Sequence, residues 1–141
     1  MDEIKYLIGK CLCGSVSVKI KHLTNKVGIC HCQMCRRWHG GPQFAINGGN
    51  DIEFKNEENI RIYNSSSWAQ RGFCKECGSH LFYKLRESGR YVLMVGLFDD
   101  INDFVLDHQF FIDKKPHYYS LNEKTNNLTE EDFMKKFNPN T

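Results

Sequence analysis

Long apolar runs are the first thing this sequence lacks. The longest, "YVLMVGLF" from Tyr91 to Phe98, falls far short of the roughly 20 residues that span a bilayer. The opening residues, "MDEIKYLIGK", are acidic at once and contain no apolar core region, so no secretory signal is expected. Charge of one sign is missing too. The formal net charge is only +2, and the basic residues come in small groups such as Lys19 with Lys21 and Arg36 with Arg37. Neither nucleic acid nor an anionic membrane surface is favoured as a partner by such a balance. Repeats, low-complexity tracts and linkers are absent as well. The expectation is a cytoplasmic protein of one domain, residues 1–141.

Apolar residues make up 40% of the chain, which leaves a domain of this size with little core to spare. Cross-links or metals would help it. Seven cysteines are present, an odd number, in a compartment that keeps thiols reduced. A disulfide framework is therefore not expected, and metal ligation or thiol chemistry is.

Short strand signals dominate. "VSVKI" (Val16 to Ile20) alternates apolar and polar, as a half-buried strand does. "IRIY" (Ile60 to Tyr63), "LFYKL" (Leu81 to Leu85), "RYVLMVGLF" (Arg90 to Phe98) and part of "DFVLDHQFFI" (Asp103 to Ile112) read as further strands. "ESGR" (Glu87 to Arg90) fits a hairpin turn between two of them. Helical signals are few: one turn after Cys35, and "TEEDFMKKF" (Thr129 to Phe137), with Thr129 as N-cap and Pro139 beyond its end. The polar stretch 120–128 reads as a loop. The sum is a mainly β, largely antiparallel domain with a short C-terminal helix.

The cysteines fall into three groups. Cys11 with Cys13 and Cys74 with Cys77 form two short knuckles, each followed by a glycine, Gly14 and Gly78. Two knuckles from distant parts of a chain are a common way to supply the four ligands of a closed, structural zinc site. Iron fits the same spacing, and ordinary buried cysteines are the bland alternative. The remaining group, Cys30, Cys32 and Cys35, offers three thiols. Three protein ligands leave a fourth position free, the pattern of a working zinc site. Alternatively His39, His31 or His80 closes the site and makes it structural. Three thiolates give such a zinc complex a net charge of −1, which suits holding a substrate thiol as a thiolate better than activating water. Arg36 and Arg37 follow the last thiol, where they would offset charge or pair with carboxylates on the thiol's carrier; the bland reading is a solvated surface. Trp38 either shelters the site or packs in the core. Arg71 either pairs with a carboxylate inside the fold or faces a ligand.

"GKCLCGSVSV" (Gly9 to Val18), "CHCQMCRRWHGGP" (Cys30 to Pro42), "RGFCKECGSHLFY" (Arg71 to Tyr83), "GLFDD" (Gly96 to Asp100) and "HQFFIDKKP" (His108 to Pro116) together resemble the glutathione-dependent formaldehyde-activating enzymes, a family grouped with the domain of centromere protein V. The resemblance runs over roughly residues 7–119. It implies a β-tent fold with two zinc ions per chain. One would be structural, on Cys11, Cys13, Cys74 and Cys77; the other catalytic, on Cys30, Cys32 and Cys35. It also implies a carbon–sulfur lyase, joining glutathione and formaldehyde into S-(hydroxymethyl)glutathione or cleaving it. A small thiol such as glutathione is then the partner, with Arg36, Arg37 and His39 as candidate substrate-binding residues. Two positions depart from the family pattern. His39 stands where a small residue such as serine is expected, and His117 and Tyr118 follow Pro116 where the family often has tryptophan. A non-catalytic zinc-stapled module that binds glutathione or a protein is the alternative function. A purely structural two-zinc protein is a third.

Overall fold

The computed structural model describes residues 4–137. Among the described residues, eleven strands and two α-helices make the fold mainly β, and the contacts divide it into two compact units. The first comprises residues 4–25 and 46–103, the second residues 26–45 and 104–137. No helix among the described residues is long and apolar enough to cross a membrane.

In the first unit, β1 (Tyr6–Lys10), β2 (Ser17–Lys21) and β5 (Ile52–Lys55) form a three-stranded antiparallel sheet. Alternation decides its faces. Leu7, Val18 and Ile20 point inward and are buried, while Tyr6, Ile8 and Lys19 point out. The unit's other strands are β6 (Ile60–Tyr63), β7 (Ala69–Cys74), β8 (His80–Leu85) and β9 (Tyr91–Met94). They pair antiparallel in chain order. The turn at "ESGR" joins β8 to β9, with Gly89 N–H donating to the Leu85 carbonyl at 2.9 Å. The apolar run after Arg90 is only partly strand: beyond Met94 it tightens into a 3₁₀ turn, Val95–Leu97. Phe82 anchors the core here, its ring 5.5 Å from Phe54 and 5.0 Å from Tyr91 in tilted and edge-on contacts.

In the second unit, β3 (Lys26–Cys30) lies between β10 (Val105–Phe110) and the start of β4 (Gln43–Gly49). β10 runs parallel to β3, and β11 (Asn126–Leu128) parallel to β10. These parallel pairs depart from the antiparallel expectation, and β11 occupies part of the stretch expected to be loop. Neither strand carries a signal for pairing direction, because partners far apart in sequence set it. α1 (Gln33–His39) starts earlier than the turn expected after Cys35, since Cys32 itself caps it. α2 (Glu130–Phe137) has Thr129 at its start, as expected: Asp132 N–H donates to Thr129 Oγ1 at 3.1 Å, and Thr129 N–H to Asp132 Oδ2 at 3.2 Å. Phe133 and Phe137 place their rings 5.0 Å and 5.4 Å from Phe110. Pro139 lies outside the described residues.

Gly28 is where β3 admits the ring of His108 from β10. A Cβ on Gly28 would lie 2.0 Å from His108 Nε2, and the same ring is stacked 4.5 Å from Phe110. Gly28→Ala must displace that ring or part the two strands, and should cost about 1–3 kcal/mol in urea unfolding.

Candidate metal and thiol site

Cys11 and Cys13 lie in the turn between β1 and β2; Cys74 ends β7 and Cys77 lies in the turn to β8. Their four sulfurs fall within 4.8 Å of one another, and all are free thiols. Cys13 Sγ is 3.6 Å from Cys11 Sγ and 3.8 Å from Cys74 Sγ. A tetrahedron with metal–sulfur bonds of about 2.3 Å separates its sulfurs by about 3.8 Å, so the spacing suits a tetrahedral thiolate centre. The glycine after each knuckle has a working role. Gly14 and Gly78 sit at φ +80° and +78°, and their N–H groups close the turns onto the Cys11 and Cys74 carbonyls at 3.0 Å and 2.8 Å.

Polar donors also favour the ionised sulfurs. The Ser79 hydroxyl, 3.2 Å from Cys77 Sγ, is the main reason that thiol is drawn down to a pKa of about 5. Burial resists ionisation of Cys11, but the Val16 N–H at 3.3 Å and the neighbouring Cys13, Ser15 and Cys74 outweigh it and leave its pKa lowered. At Cys13 the Ser15 hydroxyl favours the thiolate, yet burial and the crowding of Cys11 and Cys77 leave its pKa raised.

Cys30, at the end of β3, forms a second cluster with Cys32 and Cys35 of the α1 start, again within 4.8 Å. The local sequence builds it. Cys32 is extended at φ −61° and ψ 159°, and its sulfur accepts the Cys35 N–H at 3.3 Å, replacing the usual hydroxyl N-cap. Three residues of helix then bring Cys35 back beside it. Cys32 and Cys35 crowd Cys30 and push its pKa well up, with burial adding to the effect. Such a cluster resists ionisation until a cation shares it, so the donor set of both groups could hold a metal ion.

No described histidine, aspartate or glutamate places a ligand atom with those three sulfurs. His31 is buried, and both its ring nitrogens are engaged: Nε2 lies 2.7 Å from Gln109 Oε1 and Nδ1 lies 2.8 Å from the Tyr119 hydroxyl. Gln109 in turn donates through Nε2 to Thr125 Oγ1 at 2.9 Å, which fixes its oxygen toward His31. His31 therefore carries its proton on Nε2 and accepts from Tyr119; burial keeps its pKa low. His39 sits at the end of α1, with Nε2 3.0 Å from Gln43 Oε1. His80 belongs to neither cluster, and burial and then the Arg71 charge lower its pKa. Arg36 and Arg37 are exposed on α1 and Trp38 is half-buried. Arg71 is buried, its guanidinium 5.1 Å from the centre of the Tyr83 ring.

Sequence reading missed Gln109, Tyr119 and Thr125, whose meeting with His31 depends on tertiary pairing. It also missed Ser15 and Ser79, although their signal was local: both knuckles continue Cys-Gly-Ser.

Residues 6–114 match the family model described as glutathione-dependent formaldehyde-activating enzyme. A Schizosaccharomyces pombe protein named as an uncharacterized lyase is 34% identical over 128 residues, 90% of this chain and 93% of that one. A Podospora anserina protein named as a putative glutathione-dependent formaldehyde-activating enzyme is 34% identical over 85 residues, 55% of this chain and 39% of that one. A Rhodobacter sphaeroides crystal structure superposes with a TM-score of 0.58 at 25% identity, covering 68% of this chain and 91% of that one. With its β-rich fold and two thiol clusters, the chain belongs to the glutathione-dependent formaldehyde-activating enzyme family.

Proposed function

We propose that this protein is a zinc-dependent carbon–sulfur lyase acting on the adduct of a small thiol and a carbonyl compound. Glutathione and formaldehyde, the pair named by the family, are the first substrates to test. The observation that carries the reading is the three-sulfur cluster that no described histidine, aspartate, glutamate or further cysteine completes. Cys30, Cys32 and Cys35 would hold the catalytic ion, and Cys11, Cys13, Cys74 and Cys77 the structural one, two zinc ions per chain. A zinc ion on three thiolates supplies the positive charge that keeps an incoming thiol ionised near neutral pH.

The chain's own residues then have the following parts. Cys32 caps the helix start, so the Cys35 N–H and the helix dipole favour the thiolate of Cys32, while the crowded Cys30 needs the cation to ionise. Arg36 and Arg37, exposed on α1 just beyond Cys35, attract the carboxylates of the thiol's carrier. Synthesis forms a bond from the thiol sulfur to the carbonyl carbon; the thiol proton leaves and the new alkoxide gains one. Cleavage reverses each transfer. His39, half-buried at the end of the helix, is the proposed substrate-facing group at that edge. His31 is reserved for holding the loop, since Gln109 and Tyr119 already occupy both its nitrogens. A cytoplasmic location accords with a thiol chemistry that needs reduced cysteines.

Untagged protein purified without added metal should contain two zinc ions per chain by elemental analysis. Cys32→Ser should remove one and keep the fold; Cys74→Ser should remove the other and lower the melting temperature, because that ion joins β1 to β7. One zinc in the wild type would leave the three-thiol loop without metal and remove the basis of the lyase reading. Turnover of S-(hydroxymethyl)glutathione, followed by NMR, should be lost in Cys32→Ser. Arg36→Met with Arg37→Met should raise KM by roughly tenfold with kcat little changed. Wild-type binding of glutathione without turnover, together with equal binding of S-methylglutathione, would replace the enzyme by a binding module.

A further inference from the structure

The two knuckles of the four-thiol cluster share more than paired cysteines. One reads Cys13-Gly14-Ser15 and the other Cys77-Gly78-Ser79. Each positive-φ glycine turns the serine back onto the sulfur two residues before it. Ser15 Oγ lies 3.1 Å from Cys13 Sγ, and Ser79 Oγ lies 3.2 Å from Cys77 Sγ. Ser15 Oγ is also 3.2 Å from Cys74 Sγ and 3.8 Å from Cys11 Sγ, so it sits among three of the four sulfurs.

The direction of one of these bonds follows from its surroundings. Ser79 Oγ accepts the Leu12 N–H at 3.0 Å. A metal-bound Cys77 sulfur carries no proton, so in that state the Ser79 hydroxyl is the donor of the pair. The knuckles are thus laced across the cluster: Leu12 N–H to Ser79 Oγ, and Ser79 O–H to Cys77 Sγ. The three-thiol loop is built differently. No serine, threonine or tyrosine occurs between Asn25 and Tyr63, so hydroxyl donors are missing from the stretch that carries Cys30, Cys32 and Cys35.

Exposure makes this difference matter. Cys11 and Cys74 are buried, whereas Cys13 is exposed and Cys77 half-buried. Burial cannot shield Cys13 from a small electrophile. A hydroxyl proton on the sulfur can, because a hydrogen bond to an anion draws density from the lone pairs that would attack, and such charge-assisted bonds are about twice as strong as neutral ones.

We propose that Ser15 and Ser79 are positioning residues that make the metal-bound four-thiol cluster inert toward carbonyl and alkyl electrophiles, and that their absence from the three-thiol loop leaves that loop the reactive one. The inference goes beyond the lyase reading: it requires metal on the four thiols, not turnover at the three.

The test is alkylation of the zinc-loaded full chain by iodoacetamide, with metal content checked by elemental analysis and each cysteine followed by mass spectrometry. In the wild type, exposed Cys13 should be labelled more slowly than half-buried Cys32. Ser15→Ala should speed labelling of Cys13, and Ser79→Ala that of Cys77, each by roughly tenfold or more, while Ser15→Thr and Ser79→Thr stay near the wild-type rate. In cobalt-loaded protein, the sulfur-to-cobalt charge-transfer band should move to lower energy in the alanine variants and return in the threonine variants; a packing role alone would not move it. Unchanged rates and bands in the alanine variants would overturn the proposal. So would wild-type Cys13 labelled as fast as Cys32, a comparison that needs no variant to fold.

Discussion

Negative charges on neighbouring sulfurs repel, and that repulsion governs this molecule. Four sulfurs lie within 4.8 Å in one cluster and three in the other. Neither set can ionise fully unless something positive or proton-donating shares the space. The structure answers the demand differently in the two places. Around the four thiols it supplies serine hydroxyls and the Val16 N–H, and Cys77 falls to about 5. Around the three it supplies a helix start, while Cys30 remains raised by its neighbours. Hydroxyl and N–H donors lower Cys77 and Cys11 in the first place, while crowding leaves Cys13 there and Cys30 in the second raised.

The scaffold serves these contrasts with a modest core. Leu7, Val18, Ile20, Phe82 and Leu93 fill the first unit, which also contains the full four-thiol set. A metal there would add a tie between β1 and β7, contributing to folding where apolar burial alone is thin. In the second unit the tie is polar. His31, between Cys30 and Cys32 in the chain, is buried and satisfied on both nitrogens, so the loop is fixed by its hydrogen bond to Gln109 and the one it accepts from Tyr119 instead of by packing alone.

What the sequence made legible follows the range of each interaction. The alternation of "VSVKI", the "ESGR" turn and the Thr129 cap are local patterns, and the structure has them within a residue or so. The cysteine grouping was legible because knuckle spacing is local, even though the two knuckles meet across the fold. Parallel pairing of β10 with β3 was not, since nothing in "VLDHQF" states its partner. The engagement of His31 was equally hidden: beside Cys30 and Cys32 it read as a possible ligand, and only Gln109 of β10 together with Tyr119 shows that its nitrogens are taken. Ser15 and Ser79 were a different case, a repeated Cys-Gly-Ser in plain view.

The two clusters also differ in when they can come into being. Cys13 and Cys74 are 61 residues apart, so their cluster must wait for a long loop to close. Cys30, Cys32 and Cys35 lie within six residues and can meet without closing a long loop. Yet the partner that secures His31 arrives 78 residues later. During synthesis the three thiols thus precede the strand that secures the histidine between them in the chain, and the finished loop depends on residues made well after it.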